Sequence, residues 1–194
     1  MVSRSPISRI LLAVLAAVSL QGCGYNRLVA LQEGVEGAWS QVENVYQRRA
    51  DLIPNLVATV KGAADFEQET LARVIEARSK ISQVSFDSAP DARQLEQFQS
   101  AQDGLSSALS RLLVVVERYP ELKATDAFRD LQAQLEGTEN RITVERQRFN
   151  EATREYNTAR RQFPTIVVSK LFGFGEKPYF RAVEGADSPP KVDF

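Results

Sequence analysis

The chain has 194 residues, of which 43% are hydrophobic, and this predicts one domain with a hydrophobic core. It has 24 Lys and Arg against 25 Asp and Glu, so its formal net charge is −1. The absence of histidine and the single cysteine exclude Cys/His zinc sites and intramolecular disulfides, and remove the usual general base at neutral pH. Acidic residues are interleaved with the basic ones and the ten glycines are scattered, so neither a nucleic-acid-binding patch nor a phosphate loop for a cofactor is predicted.

Residues 1–22 have the layout of a signal peptide. Arg4 and Arg9 precede an apolar run at 10–20, which is shorter than the roughly 20 residues that a membrane-spanning helix needs. The run ends in the letters LQGC, which resemble a bacterial lipobox, where the cysteine thiol receives a diacylglyceryl group and a peptidase cuts before it. We therefore predict that Cys23 is the lipid attachment site, and that its acyl chains anchor the protein to a membrane.

Two other interpretations of the N-terminal region stay open. One is an uncleaved membrane anchor stretching from Ile7 to Tyr25, and the other is a free or redox-active cysteine. Gly24 follows Cys23 at the position where an aspartate commonly retains lipoproteins in the inner membrane. We therefore predict the periplasmic face of the outer membrane for a Gram-negative source, with the inner membrane, reached by an uncleaved N-terminal helix, as the alternative.

Residues 23–163 are predicted to begin with two amphipathic helices. The first helix carries Arg49 on its otherwise apolar stripe. Pro54 lies in the interior of the same helix, where proline removes a backbone hydrogen bond and costs about 3 kcal/mol. A second helix follows Gly62. The stripes recur at alternating three- and four-residue steps, as in a coiled-coil seam, and consist of Leu28, Leu31, Val35, Ala38, Val42, Val45, Leu52 and Leu56, then Leu71, Val74, Arg78 and Ile81.

Two further helices complete the predicted domain. The third carries Leu95, Phe98, Gln102, Leu105, Leu109, Leu112 and Val116 on its stripe. It stops before Pro120, and Thr125 or Asp126 can cap the fourth, which runs from Phe128 to Phe163. Short loops imply an all-α, elongated antiparallel four-helix bundle, whose first and fourth helices of about 37 residues would each be roughly 55 Å long. Residues 164–194 are predicted to be an apolar segment and a loose tail.

The segment from Tyr25 to Leu71, with "VENVYQRRADLIPNLV" at its centre, resembles the hallmark segment of the LemA family. Further similar stretches are "YPELKA", "LQAQLEGTENRI", "FNEATREYN" and "LFGF…PYF". The resemblance implies a membrane-anchored helical bundle of the bacterial envelope, with no established enzymatic activity and with envelope proteins of the TPM-domain type as partners. The chain departs from the family at the lipobox, which replaces the usual transmembrane helix, and at Phe149, where relatives commonly have tyrosine.

The antiparallel arrangement also predicts which residues face each other. If Tyr25 lies level with Phe163, facing positions on the first and fourth helices have numbers that add to about 188, so Arg49 faces Glu139. This layer is either a structural device that fixes the helix register or a functional cleft. Its carboxylates could hold Ca²⁺ or Mg²⁺, although their spacing does not demand a metal, and none is predicted. The candidate residues are Arg48, Arg49, Pro54, Asn55, Glu136, Glu139 and Glu145.

Two further choices concern Pro54 and the C-terminal segment. Pro54 either bends its helix around the core or leaves carbonyls that, with Asn55, meet a ligand or partner. The segment after Pro164 either caps the open end of the bundle or dips into the bilayer surface. In the second case its apolar side chains would enter the interface while two lysines face headgroups: Ile166, Val167, Leu171, Phe172 and Phe174, with Lys170 and Lys177.

The leading functional prediction is a non-enzymatic, lipid-tethered helical scaffold or interaction module that binds another envelope protein. The alternative is a carrier or sensor of a small ligand or metal ion, using the polar layer or the region of Pro54. An enzyme that works with two carboxylates ranks last, and a homo-oligomer stays open. No cofactor and no nucleic-acid partner are predicted.

Overall fold

A computed structural model describes residues 6–62, 66–84, 86 and 88–181, with side chains from Gly24 onward. The all-α prediction is confirmed, since these residues form helices and no strand. The predicted helices correspond to α1, α2, α3 and α5, to which the structure adds a single turn, α4, and a short helix, α6. The helices are α1 Pro6–Lys61, α2 Gln68–Ser82, α3 Ala92–Val116, α4 Pro120–Lys123, α5 Asp126–Arg161 and α6 Thr165–Phe172.

α1 is longer than the sequence predicts. Its backbone runs without a break from Pro6 through Cys23 to Lys61, a length of roughly 84 Å at 1.5 Å per residue. The side chains of 6–23, including that of Cys23, and the tail beyond Glu184 lie outside the described residues. Among the residues that are described, no helix is long and apolar enough to cross a membrane.

The helices alternate in direction, up-down-up-down, around two large apolar clusters. The distal core lies towards the end of α1 and joins it to α2, α3 and the start of α5, with Leu56, Leu112 and Phe128 at its centre. The proximal core lies nearer the start of α1 and contains Trp39 and Phe149. Each long helix contributes to both cores, so the bundle depends on α1 and α5 packing along their shared length.

Local capping explains where α3 and α5 begin and where α6 ends. Asp91 accepts a hydrogen bond from the Gln94 amide at 2.8 Å while the Gln94 side chain accepts one from the Asp91 amide, which forms a capping box for α3. Thr125 Oγ1 accepts from the Phe128 amide at 3.3 Å, which confirms the predicted cap of α5. Gly173, at φ 73°, ends α6 in the left-handed conformation that glycine adopts without strain.

Pro54 lies inside α1 without ending it. Proline has no amide hydrogen, so the carbonyl of Ala50, one turn earlier, loses its normal donor. Arg78 of α2 supplies a replacement, because its Nε donates to the Ala50 oxygen at 3.1 Å. The Thr59 hydroxyl also donates to the Asn55 carbonyl, at 2.9 Å, although Pro54 does not free that carbonyl. The carbonyl that Pro54 frees is therefore bonded by the chain's own second helix.

Because Arg78 replaces the donor that Pro54 lacks, the effects of mutating Arg78 and Pro54 on stability should depend on each other. Replacing Arg78 by Met should lower the free energy of unfolding by about 1–3 kcal/mol, because the Ala50 carbonyl loses its partner. In a Pro54→Ala background residue 54 regains an amide hydrogen, so Arg78→Met should cost clearly less. Urea denaturation of the four variants measures both costs, and equal costs in the two backgrounds would show that Arg78 does not replace the missing donor.

Candidate functional site

Arg49 lies between the distal and proximal cores, and its side chain is 2% exposed. Its Nη1 donates to Glu139 Oε2 at 2.8 Å and to Ser106 Oγ at 2.9 Å. Its Nη2 donates to Gln102, to the side-chain oxygen at 2.6 Å and to the backbone oxygen at 3.3 Å. The guanidinium carbon lies 5.1 Å from the centre of the Tyr46 ring. We call Arg49, Gln102, Ser106 and Glu139 the polar layer.

The polar layer joins three helices through one cation. Gln102 and Ser106 come from α3 and Glu139 comes from α5, so the guanidinium of α1 is held from two sides. Removing a buried charge from water is costly unless its hydrogen bonds are satisfied. Glu139 is 55% exposed and keeps contact with water, which reduces the desolvation cost on the carboxylate side of the pair. The hydrogen bond between Arg49 and Glu139 confirms the prediction that these two residues face each other.

The other predicted site residues do not join this layer. Arg48, Pro54 and Asn55 are exposed. Glu136 accepts a hydrogen bond from Gln132 of its own helix at 3.0 Å, and Glu145 pairs with Arg148, also on α5, at 2.8 Å. Among the described residues no group of three or more acidic or sulfur side chains is placed to hold a metal ion.

Two members of the polar layer were not predicted. Gln102 carries a usable signal, because it is the one polar residue on the predicted stripe of the third helix between Phe98 and Leu105. Ser106 lies off that stripe, and its contribution follows only from the packing of α3 on α1. The layer as built has the geometry of a register-fixing contact: one planar group with its acceptors fixed on two neighbouring helices.

A second polar arrangement holds residues 174–181, which we call the strap, against α5. Asn157 donates to the Lys177 carbonyl at 2.8 Å and accepts from the Lys177 amide at 3.1 Å. Asn150 pairs in the same way with Phe180, at 3.1 and 2.8 Å. Seven helical residues span about 10.5 Å, and three residues of extended chain span about 10 Å. The strap therefore runs extended and antiparallel to α5, with two asparagines in the role of a neighbouring strand.

The strap closes the proximal core with an aromatic side chain. Phe180 is buried, stacks on Trp39 with ring centres 6.2 Å apart, and meets Phe149 edge-on at 5.4 Å. The guanidinium carbon of Arg146 covers the outer face of the Phe180 ring at 4.7 Å. The stretches "FNEATREYN" and "PYF", which are far apart along the chain, therefore contact each other. Phe149 is fully buried within this aromatic group.

Glu36 ties the strap to the start of the bundle. Its carboxylate accepts from Lys177 Nζ at 2.9 Å and from the backbone amide of Ala89, which precedes α3. The interpretation in which Lys177 faces lipid headgroups is therefore wrong, since its ammonium group pairs with the half-buried carboxylate of Glu36 on α1. Phe174 is also turned inward and packs beside Leu28.

Burial raises the pKa of Glu43, and the negative charge of Glu36 adds to this effect, while the Trp39 indole N–H opposes it. A carboxyl whose folded pKa is raised costs no stability well below its ordinary value of 4.5. The cost builds up as the pH rises from 4.5 to the raised pKa and is complete above it. Burial likewise raises the pKa of Tyr156, whose hydroxyl donates to the Gly175 carbonyl at 2.9 Å. Tyr156 lies under the strap, and burial explains the direction of both pKa shifts.

The strap geometry predicts the effect of removing one asparagine. Asn157→Ala deprives the Lys177 amide and carbonyl of their partners, and should lower the free energy of unfolding by about 1–3 kcal/mol. Amide hydrogen exchange at 174–181 should accelerate at the same time. Asn140→Ala is the matched control, since Asn140 is exposed on the same helix. Equal effects of the two substitutions would contradict the assigned role of Asn157.

Comparison with known proteins places this bundle in a family. A family model described as "LemA family" matches residues 38–194. Magnetosome protein MamQ of Magnetospirillum gryphiswaldense is 26% identical over 96% of this chain and 76% of its own length. MamQ 2 of Paramagnetospirillum magneticum is 26% identical over 92% and 72%, and Protein LemA of Metamycoplasma hominis is 23% identical over 82% and 69%. Since the family model covers most of the chain, including the polar layer and the strap, the protein belongs to the LemA family.

Proposed function

We propose that this protein is a lipid-tethered, non-enzymatic helical scaffold of the bacterial envelope, which presents the sides of its bundle to another envelope protein. The observation that carries the proposal is that α1 is one unbroken helix from Cys23 to Lys61, the part of it that remains when the chain is cut before Cys23. Because α1 packs along α5, an anchor attached at Cys23 would hold the whole bundle by its proximal end. Membership of the LemA family and the similarity to proteins named as magnetosome proteins support an envelope role.

The hydrogen bonds and ion pairs that join the helices to one another suit a scaffold. The polar layer joins α1, α3 and α5 near mid-length, and the strap joins α5 to α1 and, through Gln99, to α3. Such ties keep the outer surface of the helices in a constant shape, which lowers the ordering cost of binding a partner. A protein of the TPM-domain type is the proposed partner class. The periplasmic face of the outer membrane is the proposed location, with the inner membrane as the alternative.

A carrier or sensor of a small ligand has less support. Its two proposed binding features were the polar layer and the carbonyls near Pro54. Four guanidinium hydrogen bonds of Arg49 go to side chains or backbone of this chain, and the Ala50 carbonyl is bonded by Arg78. A ligand at either place would have to displace existing hydrogen bonds, which makes these positions poor sites for tight binding.

The test compares the wild-type chain with Cys23→Ala in a Gram-negative host. We expect the wild-type protein to begin at Cys23, to carry acyl mass and to sediment with membranes, whereas the variant keeps its N-terminal residues and gains no acyl mass. Cross-linking in intact cells should then yield one dominant envelope protein with the wild type. An unmodified, uncut wild-type N-terminus would contradict the lipid tether, and the absence of a dominant cross-linked partner would contradict the scaffold role.

A further inference from the structure

One side of α6 packs against α1, and the other side is exposed to solvent. Thr165 and Val168 are buried against α1, where their methyl groups lie next to the backbone of Gly24. Side chains four residues apart on the opposite side form one stripe on a helix surface. Val167 and Leu171 are related in this way and are 53% and 68% exposed, and Phe163, just before the helix, is 85% exposed. Phe172 beside them is 57% exposed, and we call these four residues the α6 stripe.

Basic residues predominate around the α6 stripe, where Glu176 of the strap is an acidic neighbour. The segments that form this end of the bundle are residues 24–28 of α1 and residues 159–173. Their charged residues are Arg27, Arg160, Arg161 and Lys170, with no aspartate or glutamate, although the whole chain has a net charge of −1. Arg160 pairs with Glu176 of the strap at 2.8 Å, while Arg27, Arg161 and Lys170 are exposed. The proximal end is therefore a basic surface with an apolar stripe.

The position of the stripe also points to its partner. α6 packs at Gly24, one residue after Cys23, so the stripe lies beside the predicted lipid attachment site on α1. Tyr25 continues the stripe onto α1, since its ring is 39% exposed and meets the Phe172 ring edge-on at 5.0 Å. Any bilayer held at Cys23 would approach the bundle from this side.

We propose that the α6 stripe docks on the surface of an anionic lipid bilayer, so that the protein meets the membrane at α6 as well as at Cys23. Exposed apolar residues are ordinary when scattered, but a stripe flanked by basic residues is the pattern of an interfacial helix. Each basic residue near the surface adds attraction to anionic headgroups. With two contacts the bundle has a fixed orientation and cannot swivel about a single lipid. The inference rests on the proposed tether at Cys23.

Tryptophan fluorescence in vesicles tests this docking. Leu171→Trp adds a reporter on the stripe, and Val114→Trp is the matched control because Val114, on α3 next to the distal core, is 70% exposed. Trp39, the single native tryptophan, is 1% exposed and contributes the same background to both variants. The full-length acylated chains are reconstituted into phosphatidylglycerol-containing vesicles whose acyl chains carry bromine near the headgroup. Flotation reports the tether, and quenching by bromine reports contact with lipid.

We expect both variants to float, and bromine to reduce the emission of the added tryptophan at position 171 by roughly half while leaving that at position 114 unchanged, since interfacial side chains lie about 5–10 Å into the boundary. Flotation without quenching at position 171, or with equal quenching at both positions, would overturn the docking and leave the tether intact. Chains that fail to float would contradict both the tether and the docking.

Discussion

The buried guanidinium of Arg49 is the constraint around which this bundle is arranged. An apolar stripe can slide along its neighbour by a helical turn and still bury similar area, but a buried cation loses its hydrogen bonds when the helices slide. Arg49 takes acceptors from Gln102 and Ser106 on α3 and from Glu139 on α5. These contacts select one axial position of the three helices, much as a polar residue at a coiled-coil seam selects one register.

The same register brings the rest of the proximal end together. With Arg49 level with Glu139, Trp39 lies level with Phe149, whose ring it meets at 5.7 Å. Asn150 and Asn157 are then placed beside Glu36 and the proximal core, where the strap can bond to both long helices. The strap in turn follows directly from α6, so the position of the α6 stripe at the proximal end depends on the same register.

Periodicity and antiparallel geometry were enough to predict the four bundle helices α1, α2, α3 and α5 and the Arg49–Glu139 pair, because both follow from spacing along the chain. Contacts that depend on a third helix were out of reach: Ser106 lies off its helix's apolar stripe, and the bond from Arg78 to the Ala50 carbonyl requires the position of α2. The strap has no period to detect. Its hydrogen bonds come from Asn150 and Asn157, which in the sequence look like ordinary polar residues of a helix.

A double-mutant cycle between Arg49 and Glu139 measures whether this pair fixes the register. The free energies of unfolding of wild type, Arg49→Met, Glu139→Gln and the double variant are measured in urea, with Glu136→Gln replacing Glu139→Gln in a control cycle. A register fixed by the pair predicts a coupling of about 0.5–3 kcal/mol for Glu139 and effects that add within about 0.5 kcal/mol for Glu136. Additive effects in both cycles would contradict a register fixed by this pair.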